Sequence, residues 1–316
     1  MTFGLIDIGS NSVRLSVYAI GKQADEMRGR IVDVTSDDLG SFVRLFSKKV
    51  MAQLASYVDD DNCLTDDGVD NACRALAYLV SVVENLSIDR VYAFATASLR
   101  NVDNSEDVLE RIERRTGLAI ELLSGEEEAM LGYSSFRHER DVDEGVVVDI
   151  GGGSAELTCF SGDDVEESAS MPLGSLKLFK REVDGILPTK KESRAIRDSV
   201  SLALDDAGFE DPEPRKLLCG IGGTSRAIAK IMRREGVCGE ESAKFSRDDL
   251  GSLIRTFVED DRESRDIILR TCPERIHTLV PGALELWTIV KRFDVEEIIV
   301  GKHGVREGYV YERIIG

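Results

Sequence analysis

One short pattern occurs twice in the chain and limits its fold more than any other feature. An apolar strand reaching Asp-x-Gly, a tight turn of small residues and a second apolar strand run through Ile6-Asp7-Ile8-Gly9-Ser10-Asn11-Ser12. The same order returns at Val148-Asp149-Ile150-Gly151-Gly152-Gly153-Ser154. The copies lie about one domain length apart, and 316 residues predict roughly two domains at ~150 residues each. Two domains of related architecture, each offering a hairpin turn to a shared cleft, is the expectation.

Around the two turns, strand and helix patterns alternate, which is the signature of an α/β protein. Strands are predicted at Phe3–Ile8, Val13–Ile20, Arg90–Ala97, Leu118–Leu123, Gly145–Ile150, Ala155–Phe160, Arg215–Ile221 and Val295–Val300. Ala72, Leu76, Leu79, Val80, Val83 and Leu86 recur at helical spacing and predict one amphipathic helix. A second helix is opened by Asn104 and closed by Gly117. Ser124-Gly125-Glu126-Glu127 has the form of a capping box, so a third begins at about Gly125. The chain closes in a helix from about Val305 to Ile315. Acidic clusters at Asp59–Asp61, Asp66–Asp67 and Glu259–Asp261 read as solvated loops or helix ends.

Composition removes several classes. With 40 Lys+Arg against 59 Asp+Glu the net charge is −19, which argues against a nucleic-acid polymer or an anionic membrane as partner. It leaves a phosphate-rich small substrate open, because local cations and backbone N–H groups can outvote the global sign. No apolar run approaches a membrane span, and Asp7 interrupts the N-terminal apolar stretch before a signal-peptide core forms. Six cysteines are scattered without a CxxC pair, so reduced thiols and a cytoplasmic location are expected.

A Gly/Ser turn between two strands points successive N–H groups at one spot and makes a nest for phosphate oxygens. A third glycine turn, Gly220-Ile221-Gly222-Gly223-Thr224, runs into a helix, and helix N-termini favour anions. An Asp at a strand end can hold Mg²⁺ beside the same phosphates. Three such turns in one chain point to phosphate chemistry.

Six segments then carry a resemblance. Asp7–Arg14 (DIGSNSVR), Ala95–Arg100 (ATASLR), Ser124–Ala129 (SGEEEA), Asp149–Glu156 (DIGGGSAE), Gly220–Thr224 and Gly304–Gly308 (GVREG) fall in the order and spacing of one family. The chain resembles the exopolyphosphatase/guanosine pentaphosphate phosphohydrolase (Ppx/GppA) family in its short form, without the C-terminal HD-type domain. The resemblance implies two ribonuclease H-like domains of the actin-like ATPase superfamily flanking a central cleft. Residues 1–125 plus 302–316 are expected to form the first domain and 126–301 the second. It implies Glu128 as the base that activates water, with Asp149 and Glu156 tied to Mg²⁺ and the reacting water. Arg14 and Arg100 are the expected phosphate clamps, since Arg offers a planar fork matched to phosphate oxygens. Asp7, Gly9, Ser10, Asn11, Ser12, Gly151, Gly152, Gly153, Ser154, Gly222, Gly223 and Thr224 complete the expected phosphate-binding set.

The implied activity is hydrolysis of a phosphoanhydride: release of terminal orthophosphate from inorganic polyphosphate, or of the same group from guanosine pentaphosphate. A sugar or acetate kinase of the superfamily and a non-catalytic phosphonucleotide sensor are more distant readings. A homodimer is an expected assembly. Three segments depart from the family pattern: Val43–Lys49 where Arg-x-Leu-Gly is usual, Arg275-Ile276-His277 for Arg-Ala-Asp, and Gly301–Gly304 for Ser-Asp-x-Gly. The first puts the grip on distal substrate in doubt. His138, His277 and His303 read as structural or surface residues. Two basic stripes at helical spacing stand out in this acidic chain. One is Arg226, Lys230 and Arg233 with Arg234 beside them; the other is Lys190, Arg194 and Arg197, preceded by Lys177 and Arg181. The first is expected to continue a phosphate track.

Overall fold

The computed structural model describes residues 1–21, 42–86, 88, 90–239 and 243–316. They divide into two compact units, Met1–Ser124 and Gly125–Gly316. The first unit runs β1 (Thr2–Ile8), β2 (Val13–Ile20), β3 (Phe42–Val50), α1 (Asp66–Asn85), β4 (Arg90–Ala95), α2 (Ala97–Arg100), α3 (Ser105–Thr116) and β5 (Glu121–Leu122). Its sheet has the order β3-β2-β1-β4-β5, antiparallel across the first three strands and parallel beyond β1. The second unit runs α4 (Gly125–Glu139), β6 (Glu144–Ile150), β7 (Ala155–Ser161), β8 (Asp164–Met171), α5 (Ser175–Glu182), α6 (Lys190–Asp206) and β9 (Leu217–Ile221). It continues through α7 (Gly222–Arg234), β10 (Lys244–Ser246), α8 (Arg247–Glu259), α9 (Asp261–Thr271), α10 (Leu279–Arg292), β11 (Glu297–Val300) and α11 (Val305–Tyr309). Its sheet order is β10-β11-β9-β6-β7-β8, so β8-β7-β6-β9-β11 repeats the order of the first sheet.

The predicted repeat is therefore a repeat of whole units. Each opens its sheet with a hairpin whose four-residue turn is closed by one backbone bond: Gly9 N–H to Ser12 C=O at 3.1 Å, and Gly151 N–H to Ser154 C=O at 2.9 Å. In the first unit α1 lays Val69, Ala72, Leu76, Leu79 and Val83 against Ile6, Ile8, Val13, Leu15 and Val17 of the hairpin. Thr65 caps that helix by accepting from Gly68 N–H, and Asp66 and Asp67 occupy its first turn, where acids complement the helix dipole. The stripe ends sooner than its spacing implies: α1 stops at Asn85 and Leu86 is 51% exposed. Asp260 caps α9, so the Glu259–Asp261 cluster is a helix junction.

Four other expectations change. Strands β3 and β8 were not legible as strands; both are edge-side, with half-exposed and polar faces. Asn104 stands before α3 but makes no cap bond; its side-chain amide instead exchanges hydrogen bonds with the backbone of Leu64. The chain end is α11 followed by a π-helical turn over Val310–Ile315. Residues 302–316 fall in the second unit, where they had been expected in the first. The reason is a close crossing: Gly308 of α11 sits on the backbone of Leu131 in α4, so near that a Cβ would overlap the Leu131 carbonyl.

That crossing gives a test of the fold. Gly308→Ala should cost about 1–3 kcal/mol through overpacking, read as a lower urea midpoint at unchanged slope. A change below about 0.5 kcal/mol would mean the two helices separate without penalty.

Candidate active site

In the second unit, the pairing of β6 with β7 sets Asp149 directly opposite Glu156, and the pairing of β7 with β8 sets Glu156 opposite Ser170. In-register partners project to the same face of a sheet, so the three side chains form one row. Ser170 Oγ donates to Glu156 Oε1 at 2.8 Å, and the Ser154 hydroxyl bonds the same carboxyl. Glu156 is 3% exposed, and Glu128, in the first turn of α4, is also buried. Burial, reinforced by the negative charges of Glu128 and Asp149, pushes the Glu156 carboxyl well above the usual carboxylate range, against the opposing pull of the two serines. The structure thus brings the three expected catalytic acids of this unit together. Adjacent carboxylates are the hard oxygen donors that Mg²⁺ prefers, and the repulsion they exert on one another is what a cation relieves. Asp149 and Glu156 are donors of the kind a divalent cation takes, while the described residues form no group of three or more His, Cys, Asp or Glu side chains placed to hold one.

The third glycine turn holds this row in place. Gly222 has φ +74°, and a Cβ there would overlap Asp149 Oδ1; the glycine is needed for the protein's own carboxylate. Gly223 lies under the guanidinium of Arg275, which burial draws below its ordinary pKa and which feels the charge of Asp149. Thr224 was expected to face phosphate, but its buried hydroxyl donates to the Ile150 carbonyl at 3.0 Å, where it fixes the end of β6. The Gly151–Gly153 turn is buttressed from behind. Ser175 N–H donates to the Gly151 carbonyl, and the N–H groups of Leu176 and Lys177 donate to that of Gly152.

The first unit repeats this plan with different chemistry. Asp7 pairs with Arg14 and Arg14 with Lys49 across β1, β2 and β3. The Ser10 carbonyl accepts from Ala55 N–H and the Asn11 carbonyl from Gln53 N–H, as the second turn is held by α5. Ser98 Oγ donates to the Ile8 carbonyl at 2.8 Å, the counterpart of the Thr224 bond. Arg100 directs Nη1 to the Leu123 carbonyl at 2.9 Å. Arg226, two residues after Thr224 as Arg100 is two after Ser98, donates to the carbonyls of Lys302 and His303.

Cations of the Arg226 stripe have structural partners of their own. Arg226 secures the segment after β11, Lys230 donates to the Thr271 carbonyl and Arg234 to that of Arg270. The last two cations serve the C-terminal turn of α9, where positive charge complements the dipole. Lone histidines are structural as expected: His138 stacks on Tyr311, His277 lies against Phe179, and His303 is buried with Nδ1 3.3 Å from Glu139. All six cysteines are free. No helix among the described residues is long and apolar enough to cross a membrane.

With this geometry in hand, comparison with known proteins decides the family. The Ppx/GppA phosphatase family matches residues 31–315. The chain belongs to the Ppx/GppA phosphatase family. Exopolyphosphatase 1 of Mycobacterium leprae is 25% identical over 320 residues, spanning 99% of this chain and 90% of that protein. The crystal structure of an Aquifex aeolicus Ppx/GppA family member shares the fold with a TM-score of 0.77 at 23% identity, over 100% of this chain and 98% of that one. An exopolyphosphatase structure from Cytophaga hutchinsonii does so with a TM-score of 0.78 at 19% identity, over 98% and 97% of the two chains. The chain therefore has the fold of this family, the actin-like, ribonuclease H-like architecture that the resemblance implied.

Residues missing from the sequence-based set are Ser170, Arg275 and Glu285. Only Arg275 carried a signal, because it stands in a segment that departs from the family pattern. Glu285, on α10, is 0% exposed, and neither carboxyl oxygen finds a hydrogen-bond partner among the described residues. Burial, with Glu156 adding to it, pushes its carboxyl well above the usual range. Below the unfolded value of about 4.3 both states hold the proton and the group costs little. Above it the unfolded chain ionises while the folded chain does not, so stability is lost as pH rises. Glu285→Leu should thus stabilise the protein by about 1–3 kcal/mol near pH 8 and by clearly less near pH 4.5. Thermal melts at both pH values check this; equal shifts, or destabilisation, would refute it.

Proposed function

We propose that the chain is a phosphoanhydride hydrolase that releases terminal orthophosphate from inorganic polyphosphate, as the names of its exopolyphosphatase relatives suggest. The observation that carries the reading is the cluster of the buried Glu128 and Glu156 with the half-buried Asp149, beside two glycine turns. Phosphoryl transfer asks mainly for positioning and charge neutralisation, and a rigid row of acids next to N–H-rich turns provides places for both.

In this reading Glu128 takes the proton of the attacking water. Water oxygen forms the new bond to the terminal phosphorus, the bridging P–O bond breaks, and the shortened chain leaves with its electron pair. Asp149 and Glu156 would hold Mg²⁺, which when bound neutralises charge on phosphate oxygens. Ser154 and Ser170 keep Glu156 oriented. The Gly151–Gly153 turn beside the acids is assigned to oxygens of the reacting phosphate; within the first unit, the Gly9–Ser12 turn, Arg14 and Arg100 are assigned the same kind of ligand. Residence in the cytoplasm and a dimeric assembly belong to the same reading.

Polyphosphate is favoured over guanosine pentaphosphate by what the large aromatic residue does. A guanine needs a flat apolar slot, but Trp287 is packed on α10 against the core and over Gly251. Phosphate release from polyphosphate, guanosine pentaphosphate and ATP, measured side by side with and without Mg²⁺, tests the choice directly. Guanosine pentaphosphate as the strongly preferred substrate would overturn it.

Two further outcomes are expected. Glu128→Gln should lower kcat at least ~100-fold with KM little changed, as for loss of a general base; near-normal turnover in the purified variant removes Glu128 from that role. Because Glu156 holds its proton above the ordinary carboxylate range, cation binding should expel a proton and tighten as pH rises. Calorimetric Mg²⁺ titrations in buffers of different ionisation enthalpy read that proton, and zero release would contradict the assignment.

A further inference from the structure

We propose that Lys49 is a substrate-binding residue, forming with Arg14 a two-cation row that grips successive phosphates of a polyphosphate chain. The proposal rests on the function proposed above and adds a residue to it. Its basis is the register of three adjacent strands. Asp7, Arg14 and Lys49 are partners across β1, β2 and β3, on the last rung but one before the Gly9–Ser12 turn. Partners in register share a face, so Lys49 belongs to the same side of the sheet as Arg14, about 5 Å further across. The next rung back on that face, two residues along, agrees: Ser16 and Ser47 are paired and Ser16 Oγ lies 3.3 Å from Ser47 Oγ.

The neighbouring lysine shows the contrast. Alternation sends Lys48 to the opposite face, and its Nζ sits 5.8 Å from the ring centroid of Tyr78 on α1. Of two consecutive lysines on β3, one thus serves packing and one lies in the row of Arg14. The second unit has the same rung in Asp149, Glu156 and Ser170, all of them hydroxyl or carboxyl groups. Equivalent positions thus share one acid, Asp7 and Asp149, and then carry two cations in one unit and Glu and Ser in the other. A row of cations at strand spacing suits a ligand whose charges repeat, and a linear phosphate chain is such a ligand; a single orthophosphate would engage one of the two. It also answers the departure at Val43–Lys49, because this segment supplies its own cation where the usual Arg-x-Leu-Gly is absent.

The test is equilibrium binding of end-labelled polyphosphate, followed by fluorescence anisotropy in chelator so that no hydrolysis intervenes, together with steady-state phosphate release in Mg²⁺. Lys49→Gln should weaken binding about 5–10-fold, raise KM by a similar factor with kcat within about twofold, and flatten the salt dependence by about one ion. Lys49→Arg should restore both, and Lys48→Gln should leave both unchanged. Equal effects of Lys49→Gln and Lys48→Gln, no effect of Lys49→Gln, or no measurable binding by the unaltered protein would overturn the proposal. Binding that responds to Lys49 without any phosphate release would sink the hydrolase reading and leave the Lys49 site standing. Release unaffected by Lys49→Gln would do the reverse.

Discussion

Gathering three carboxylates, two of them buried, is unfavourable, and much of the second unit is arranged around that fact. Glu156 cannot escape Asp149, because strand pairing sets them face to face, nor Glu128, which α4 carries to the same place. Two serine hydroxyls offset part of the cost by bonding Glu156, and its proton offsets more by staying on. Gly222 gives up a side chain so that Asp149 has room, and Arg275 lies over the next glycine. Such a cluster stores electrostatic strain of the kind that a bound cation relieves, and it is a poor stabilising core.

The two units show which parts of this plan are scaffold and which are chemistry. The turn closure, the support of turn carbonyls from behind, the hydroxyl clamp on the last carbonyl of the first strand and the arginine two residues later occur in both. These are solutions to one mechanical problem, the rigid presentation of a hairpin tip at the end of a parallel strand. What differs is the rung beside the tip: Asp7, Arg14 and Lys49 in one unit, Asp149, Glu156 and Ser170 in the other. Substituting across an inherited rung changes the chemistry without touching the backbone bonds that hold it.

This division explains what the sequence disclosed. The hairpins were legible because apolar runs and glycine turns are local signals, and Glu128, Asp149 and Glu156 stood inside motifs. β3 and β8 were hidden because an edge-side strand with one wet face lacks an apolar run: Asp-Val-Glu-Glu-Ser-Ala-Ser-Met reads as loop. Ser170 was lost with its strand. Glu285 was invisible for another reason: one Glu in the apolar sequence of α10 looks like a solvent-facing position, and only packing shows it to be buried. Thr224 and the Arg226 stripe have structural partners that the sequence did not show, because a hydroxyl or a cation beside a phosphate-type turn can equally serve nearby backbone carbonyls. Sequence proximity does not separate those two uses.

A chain of net charge −19 is an unexpected host for a polyanion, and the arrangement of its charges resolves the difficulty. At physiological ionic strength charges more than about 8 Å apart in solvent are largely screened, so the acidic surface acts weakly on a bound phosphate chain. Groups in contact with the ligand are not screened to that degree. The arginine and lysine of the first rung, and the backbone N–H groups of turns that need no side chain, therefore outweigh many distant acids.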